Sequence, residues 1–169
     1  MPDPNPQDRL QPFLLDRLID ENPESQQETA ERRSMTGRRF RQSVLRDLGW
    51  LLNARMHPEQ DGLGNFEAVA KSVINFGLPD IAGTTEASTT PADMERMVRS
   101  AILIFEPRIV RSSLSVRAVD SSAATGITAM PGHAVTLEIK GDIRVHPMSE
   151  PIYVKTKVDL ETGHCEIQE

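Results

Sequence analysis

The sequence predicts an α+β domain in which about three helices form a layer on a small antiparallel β-sheet, behind a flexible N-terminal extension. Three observations lead there. Apolar residues recur at helical spacing between residues 38 and 105. The period switches to two after Pro107. The first 36 residues are polar and proline-bearing, apart from one apolar burst.

The extension comes first. Pro2, Pro4 and Pro6 lie among polar residues that cannot bury enough apolar surface to order themselves. Within it, Phe13, Leu14, Leu18 and Ile19 fit one face of a short docking helix around residues 12–20, with Pro12 near its first position. So short a helix is marginal alone and needs a surface to dock on, its own domain or a partner. Residues 20–36 read as a linker, and the structured domain spans 37–169.

A first long helix is predicted over 38–55, where Phe40, Val44, Leu48, Leu51 and Leu52 share a face and Trp50 falls nearly opposite. Pro58 biases His57 away from helical geometry and marks its stop. Phe66, Val69, Ala70, Val73 and Ile74 predict a second helix, closed by Gly77. Thr90-Pro91-Ala92-Asp93 is a capping box for a third, whose apolar face is Met94, Met97, Val98, Ala101, Ile102 and Phe105. Leu114, Val116 and Ala118 then alternate with polar residues. Val135 to Val145 and Ile152 to Leu160 do the same, as half-buried antiparallel strands, with a last short strand at Cys165 and Ile167.

The chain has 169 residues, with 38% hydrophobic, 26% charged and 4% aromatic, so aliphatic side chains must build the core. A net charge of −6 gives no overall basic footprint for nucleic acid. The single cysteine, Cys165, excludes an internal disulfide. No apolar run approaches the roughly 18 residues of a membrane span. The opening Met1-Pro2-Asp3-Pro4 lacks a signal pattern, and a cytoplasmic location is the expectation.

Phe105-Glu106-Pro107-Arg108 is the strongest local feature. In one reading Pro107 stops a helix, Arg108 faces the helix dipole and Glu106 pairs with it. In the other, a proline-stiffened turn presents Glu106, Pro107 and Arg108 to another chain at little entropic cost. The arginines 32, 33, 38, 39, 41 and 46 form a basic stretch, either a solvated face or a surface for an acidic partner. Trp50 is either covered by a loop or a partner anchor.

Four stretches occur in order: Leu14-Leu15-Asp16-Arg17-Leu18, Asp47-Leu48-Gly49-Trp50-Leu51-Leu52-Asn53, Ser72 through Asp80, and Phe105-Glu106-Pro107-Arg108. Together they resemble the lysozyme-like TssE family of type VI secretion baseplates and the related wedge subunit of contractile-tailed phages. The resemblance covers residues from about 13 to the C-terminus and implies a helical layer on an antiparallel sheet. It implies a non-catalytic wedge subunit docking on larger subunits of the TssF, TssG and TssK type, with Glu106, Pro107 and Arg108 matching the wedge-contacting motif. It also implies initiation of sheath polymerisation, with sheath subunits of the TssB and TssC type taking up an exposed strand edge. Residues 152–160 and 165–167 are the expected edge. Phe13, Leu14, Arg17, Leu18 and Trp50 complete the expected partner-binding set.

The family's name raises the alternative of a peptidoglycan hydrolase, which needs two carboxylates roughly 5–9.5 Å apart. Glu106 and Asp47 are the only ones to nominate, and Arg108 beside Glu106 points to an ion pair instead. One Trp and one Tyr leave little for a sugar platform. His133, His146, His164 and Cys165 lack paired metal-ligand spacing, and Gly62-Leu63-Gly64 lacks the rest of a phosphate loop, so neither metal nor cofactor is expected. A generic adaptor domain remains the other alternative.

Overall fold

A computed structural model describes residues 10–19, 23–24, 35–57, 65–82, 89–119, 134–145 and 149–168. The expectations for Arg32, Arg33, His133 and His146 and for the glycine loop at 62–64 lie outside these residues.

Helix α1, Leu14–Leu18, follows Phe13 and buries none of its own residues. Helix α2, Gly37–Asn53, starts where the Thr36 side chain accepts from Arg39 N–H. It buries Phe40, Val44, Leu45, Leu48, Leu51 and Leu52, the face that the spacing predicts. It ends before Pro58 could act. Ala54 is extended, Arg55 bridges Leu78 in parallel, and the Ala54 carbonyl and Met56 N–H both bond Leu78. A tertiary strand contact therefore stops this helix.

The predicted second helix is two pieces: α3, Glu67–Ala70, and a 3₁₀ turn, Val73–Asn75. Ser72 interrupts it by accepting Ile74 N–H on its side chain. Its expected apolar face is not a core face, because Phe66, Val73 and Ile74 are exposed while polar Asn75 is buried. Asn75 accepts His57 N–H and donates to the Ala70 carbonyl. Gly77 is not an ordinary C-cap. It has φ +132°, and a Cβ there would stand 2.5 Å from the Ala54 carbonyl oxygen, so glycine is required for that close approach.

Helix α4, Pro91–Phe105, opens with the predicted capping box between Thr90 and Asp93. It buries Met94, Val98, Ala101 and Ile102 and ends at Glu106.

Among the described residues four strands follow: β1 (Ser115–Val119), β2 (Ala134–Ile143), β3 (Glu150–Asp159) and β4 (Cys165–Gln168). They form one antiparallel sheet in the order β1-β2-β3-β4. Register places Val116, Ile139 and Val154 in a row, all buried. Leu137, Ile143, Ile152, Val158 and Cys165 extend the apolar side, which joins the buried faces of α2 and α4 in one core. Arg117, Glu138, Lys140, Tyr153, Lys155 and Lys157 occupy alternate positions. Tyr153 Oη donates to Glu138, and Lys140 pairs with it at 2.9 Å. The edges are β1 and β4. Residues 152–160, expected as an edge, make an interior strand, because β4 folds back through the turn at Gly163 (φ +67°) and covers it.

Candidate functional site

The two sequence features that fitted function best, the N-terminal apolar burst and the proline corner, meet on one side of α2. Four residues of α2 form a second stripe there: Ser43, Arg46, Asp47 and Trp50, at spacings of three, one and three. That is helical periodicity on the face beside the core.

The stripe joins three segments through a chain of alternating charge. Asp16 of α1 accepts from Ser43 Oγ at 3.0 Å and from Arg46 Nη1 at 2.7 Å. Arg46 Nε donates to Asp47 Oδ1 at 2.9 Å. Arg46 Nη2 lies at the same distance from that oxygen, as an ion pair without a well-directed hydrogen bond. The other oxygen of Asp47 accepts from Arg108 Nη2 at 2.8 Å. Arg108 closes on Glu106 with Nε at 2.5 Å and with Nη2. Planar guanidinium forks suit such bridging, since each can serve two carboxylates at once.

Aromatic rings bracket the chain. Phe13 lies over the Arg108 guanidinium at 4.3 Å and tilts against Phe40 with centroids 4.6 Å apart. Arg46 stands 5.0 Å from the Trp50 ring. These contacts add cation–π attraction where water is already partly excluded. Burial by itself would lower the Arg108 pKa. The hydrogen bonds and charges of Glu106, then Asp47, outweigh it and raise the value above the ordinary arginine range. For Arg46 the same opposition of burial by Asp16 and Asp47 ends in a raised value. Both cations are held fully charged, so the network is electrostatic cement and no proton donor.

The expected docking residues fall into two groups. Glu106 is 4% exposed, and its carboxylate is turned onto Arg108, so the corner does not present a free carboxylate. Arg108 is half-buried and bonded within its own chain, as the ion-pair reading anticipated. Phe13 is half-buried against Phe40. Pro107 is exposed. Leu14 and Leu18 are each 73% exposed, one turn apart on α1, and Trp50 is 52% exposed. Arg17 is exposed and bonds the Pro12 carbonyl and the Gln11 side chain. Thus α1 is anchored on its own domain through Phe13 and Asp16, with leucines outward. Sequence reasoning passed over Asp16 and Ser43. The stripe spacing from Ser43 to Trp50 was the available signal.

The carboxylates nominated for a hydrolase, Glu106 and Asp47, both bond Arg108 Nη2. That geometry ties them to one cation rather than leaving them across a cleft. Among the described residues no group of three or more His, Cys, Asp or Glu side chains could hold a metal ion. Cys165 is buried, and burial, only partly offset by Arg55, raises its thiol pKa to about 11. His164 next to it is exposed. No helix among the described residues is long and apolar enough to cross a membrane.

Residues 38–148 match the family described as "Baseplate wedge protein gp25", which includes the TssE subunit of type VI secretion systems. No curated protein and no solved structure matches the chain.

Proposed function

The chain belongs to the baseplate wedge protein gp25 family, and from that premise we propose that it is a non-catalytic wedge subunit of a type VI secretion baseplate. A structural role in a phage-tail-like baseplate, in contact with other baseplate components, follows from membership itself. The finer reading is that it docks on larger wedge subunits of the TssF, TssG and TssK type in the cytoplasm and helps start a sheath of TssB- and TssC-type subunits.

The docking half rests on one observation: a short helix with two outward leucines is held on the domain by an ion-pair relay. Helix α1 buries none of its own residues, so the core itself does not explain why its leucines are held outward in a fixed place. Fixing it removes the ordering cost that a free peptide would meet on binding. In this reading Leu14, Leu18, Trp50 and Pro107 are the touching groups, with Arg17 at the rim. Glu106, Arg108 and Phe13 hold the corner in shape. The sheath half rests on the two sheet edges, β1 and β4, as takers of an added strand.

Co-purification of the tagged chain with its wedge subunits tests the docking half. Leu14→Ser with Leu18→Ser, and separately Glu106→Ala with Arg108→Ala, should each deplete the wedge subunits from the eluate. Unchanged recovery with both pairs would defeat it. For the sheath half, Ile167→Pro removes an edge N–H and should slow sheath assembly, and an unaltered rate counts against it.

A further inference from the structure

An edge strand presents unpaired N–H and C=O groups that pair readily with any other strand, including one from a second copy. In β4 those groups are on alternate residues. Asp159 N–H bonds the His164 carbonyl across the turn, so the His164 carbonyl faces β3. The alternation of an antiparallel ladder then turns the backbone groups of Cys165 and Ile167 away from β3. Cys165 is met from outside by α2. Asn53 Nδ2 donates to the Cys165 carbonyl at 2.9 Å, and Asn53 Oδ1 accepts Cys165 N–H at 3.0 Å.

A primary amide carries one donor and one acceptor side by side, as an extended residue does. Asn53 thus stands where one residue of a fifth strand would stand and satisfies the same two groups. It does so from the last residue of α2, and Nδ2 also reaches the Gly49 carbonyl of its own helix at 2.9 Å. The same turn of α2 lies against β4, where a Cβ at Gly49 would stand at ordinary contact distance, 3.5 Å, from Ile167 Cδ1. The opposite edge carries a related device. Glu95 of α4 accepts Ala118 N–H of β1 at 2.7 Å. Two helices therefore each send one side chain to a different edge of the sheet.

We propose that Asn53 is an edge guard: it mimics a strand residue at Cys165 and keeps β4 from pairing with β4 of a second copy of this chain. Glu95 serves β1 in the same way. The inference goes beyond the baseplate reading and is tested on the isolated chain; for β4 or β1 to take a sheath strand in that reading, Asn53 must first leave Cys165, or Glu95 leave Ala118.

The test is sedimentation of the full-length chain over a concentration series, with amide exchange at Cys165. Asn53→Leu keeps a similar volume and offers no hydrogen bond. The native chain should stay monomeric, and the variant should form a concentration-dependent dimer with Cys165 N–H exchanging about tenfold faster. Adding Ile167→Pro, which removes the other outward N–H of β4, should return the variant to a monomer. Asn53→Ala, which adds no bulk, carries the same readouts should the leucine variant fail to fold. A folded, monomeric Asn53 variant overturns the proposal. So does a dimer that survives Ile167→Pro, a native chain that already dimerises through β4, or loss of the fold in both variants, which would make Asn53 a packing residue only.

Discussion

Asp16 and Arg46 are 30 residues apart in sequence and 2.7 Å apart in the folded chain. This contact helps hold the N-terminal burst on the surface of its own domain. Asp16 also accepts from Ser43, so one carboxylate fixes α1 along α2 at two points.

Asp16→Ala should release α1 with little effect on the domain behind it. The pair is partly solvated and the helix buries nothing, so the expected loss is about 1 kcal/mol or less. Urea unfolding should move little, while amide exchange in α1 should rise to that of an open segment. Retained protection there would show that Asp16 is not the anchor.

Arg108→Ala should cost far more, about 3 kcal/mol, because it leaves the buried Glu106 carboxylate without its counter-ion. Replacing both, Glu106→Leu with Arg108→Met, should recover most of that loss by removing the charge to be solvated. Arg108→Lys should fall between, as an ammonium cannot fork between two carboxylates while stacking on Phe13. Urea unfolding of the native chain and the three variants reads all four stabilities.

Gly77→Ala and Gly49→Ala should have opposite signs. At Gly77 the backbone is at φ +132° and a Cβ would clash with backbone at 2.5 Å, so a loss of about 2 kcal/mol or more is expected. At Gly49, mid-helix, the nearest atom is at ordinary contact distance, and alanine should gain about 0.5–1 kcal/mol from helix propensity. Thermal melts of the two variants against the native chain decide both.

The start of α4 should loosen in acid. Hydrogen bonds from the Thr90 side chain, then its backbone, then Arg96, hold the Asp93 carboxyl below its ordinary value of 3.8. Its contribution is therefore complete above that value and lost as pH falls through the lower folded one. The Thr90 amide, which donates to Asp93 Oδ2 at 3.0 Å, should shift on titration from pH about 5 to about 2. Asp93→Asn should flatten that response, and a titration unchanged by it would exclude the capping box as its source.

Local patterns were enough for much of this protein. The face of α2 from Phe40 to Leu52, the capping box of α4 and the alternation in β2 and β3 are each written in a stretch shorter than 20 residues. Periodicity and caps are local physics, and the core follows from them because each apolar face can be buried only against another. The corner at Glu106-Pro107-Arg108 was legible as an internal pair for the same reason, since its members are two residues apart.

Tertiary structure decided what those patterns could not carry. Leu78 bonding Ala54 and Met56 ends α2, and Ser72 divides the predicted second helix. The return of β4 makes β3 interior, and Asn53 meets Cys165 from 112 residues away. The partners of Asp16 and Asp47 were chosen likewise. A charge or an amide has no period of its own, and which of many equivalent partners it takes is set only when packing brings one within hydrogen-bond reach.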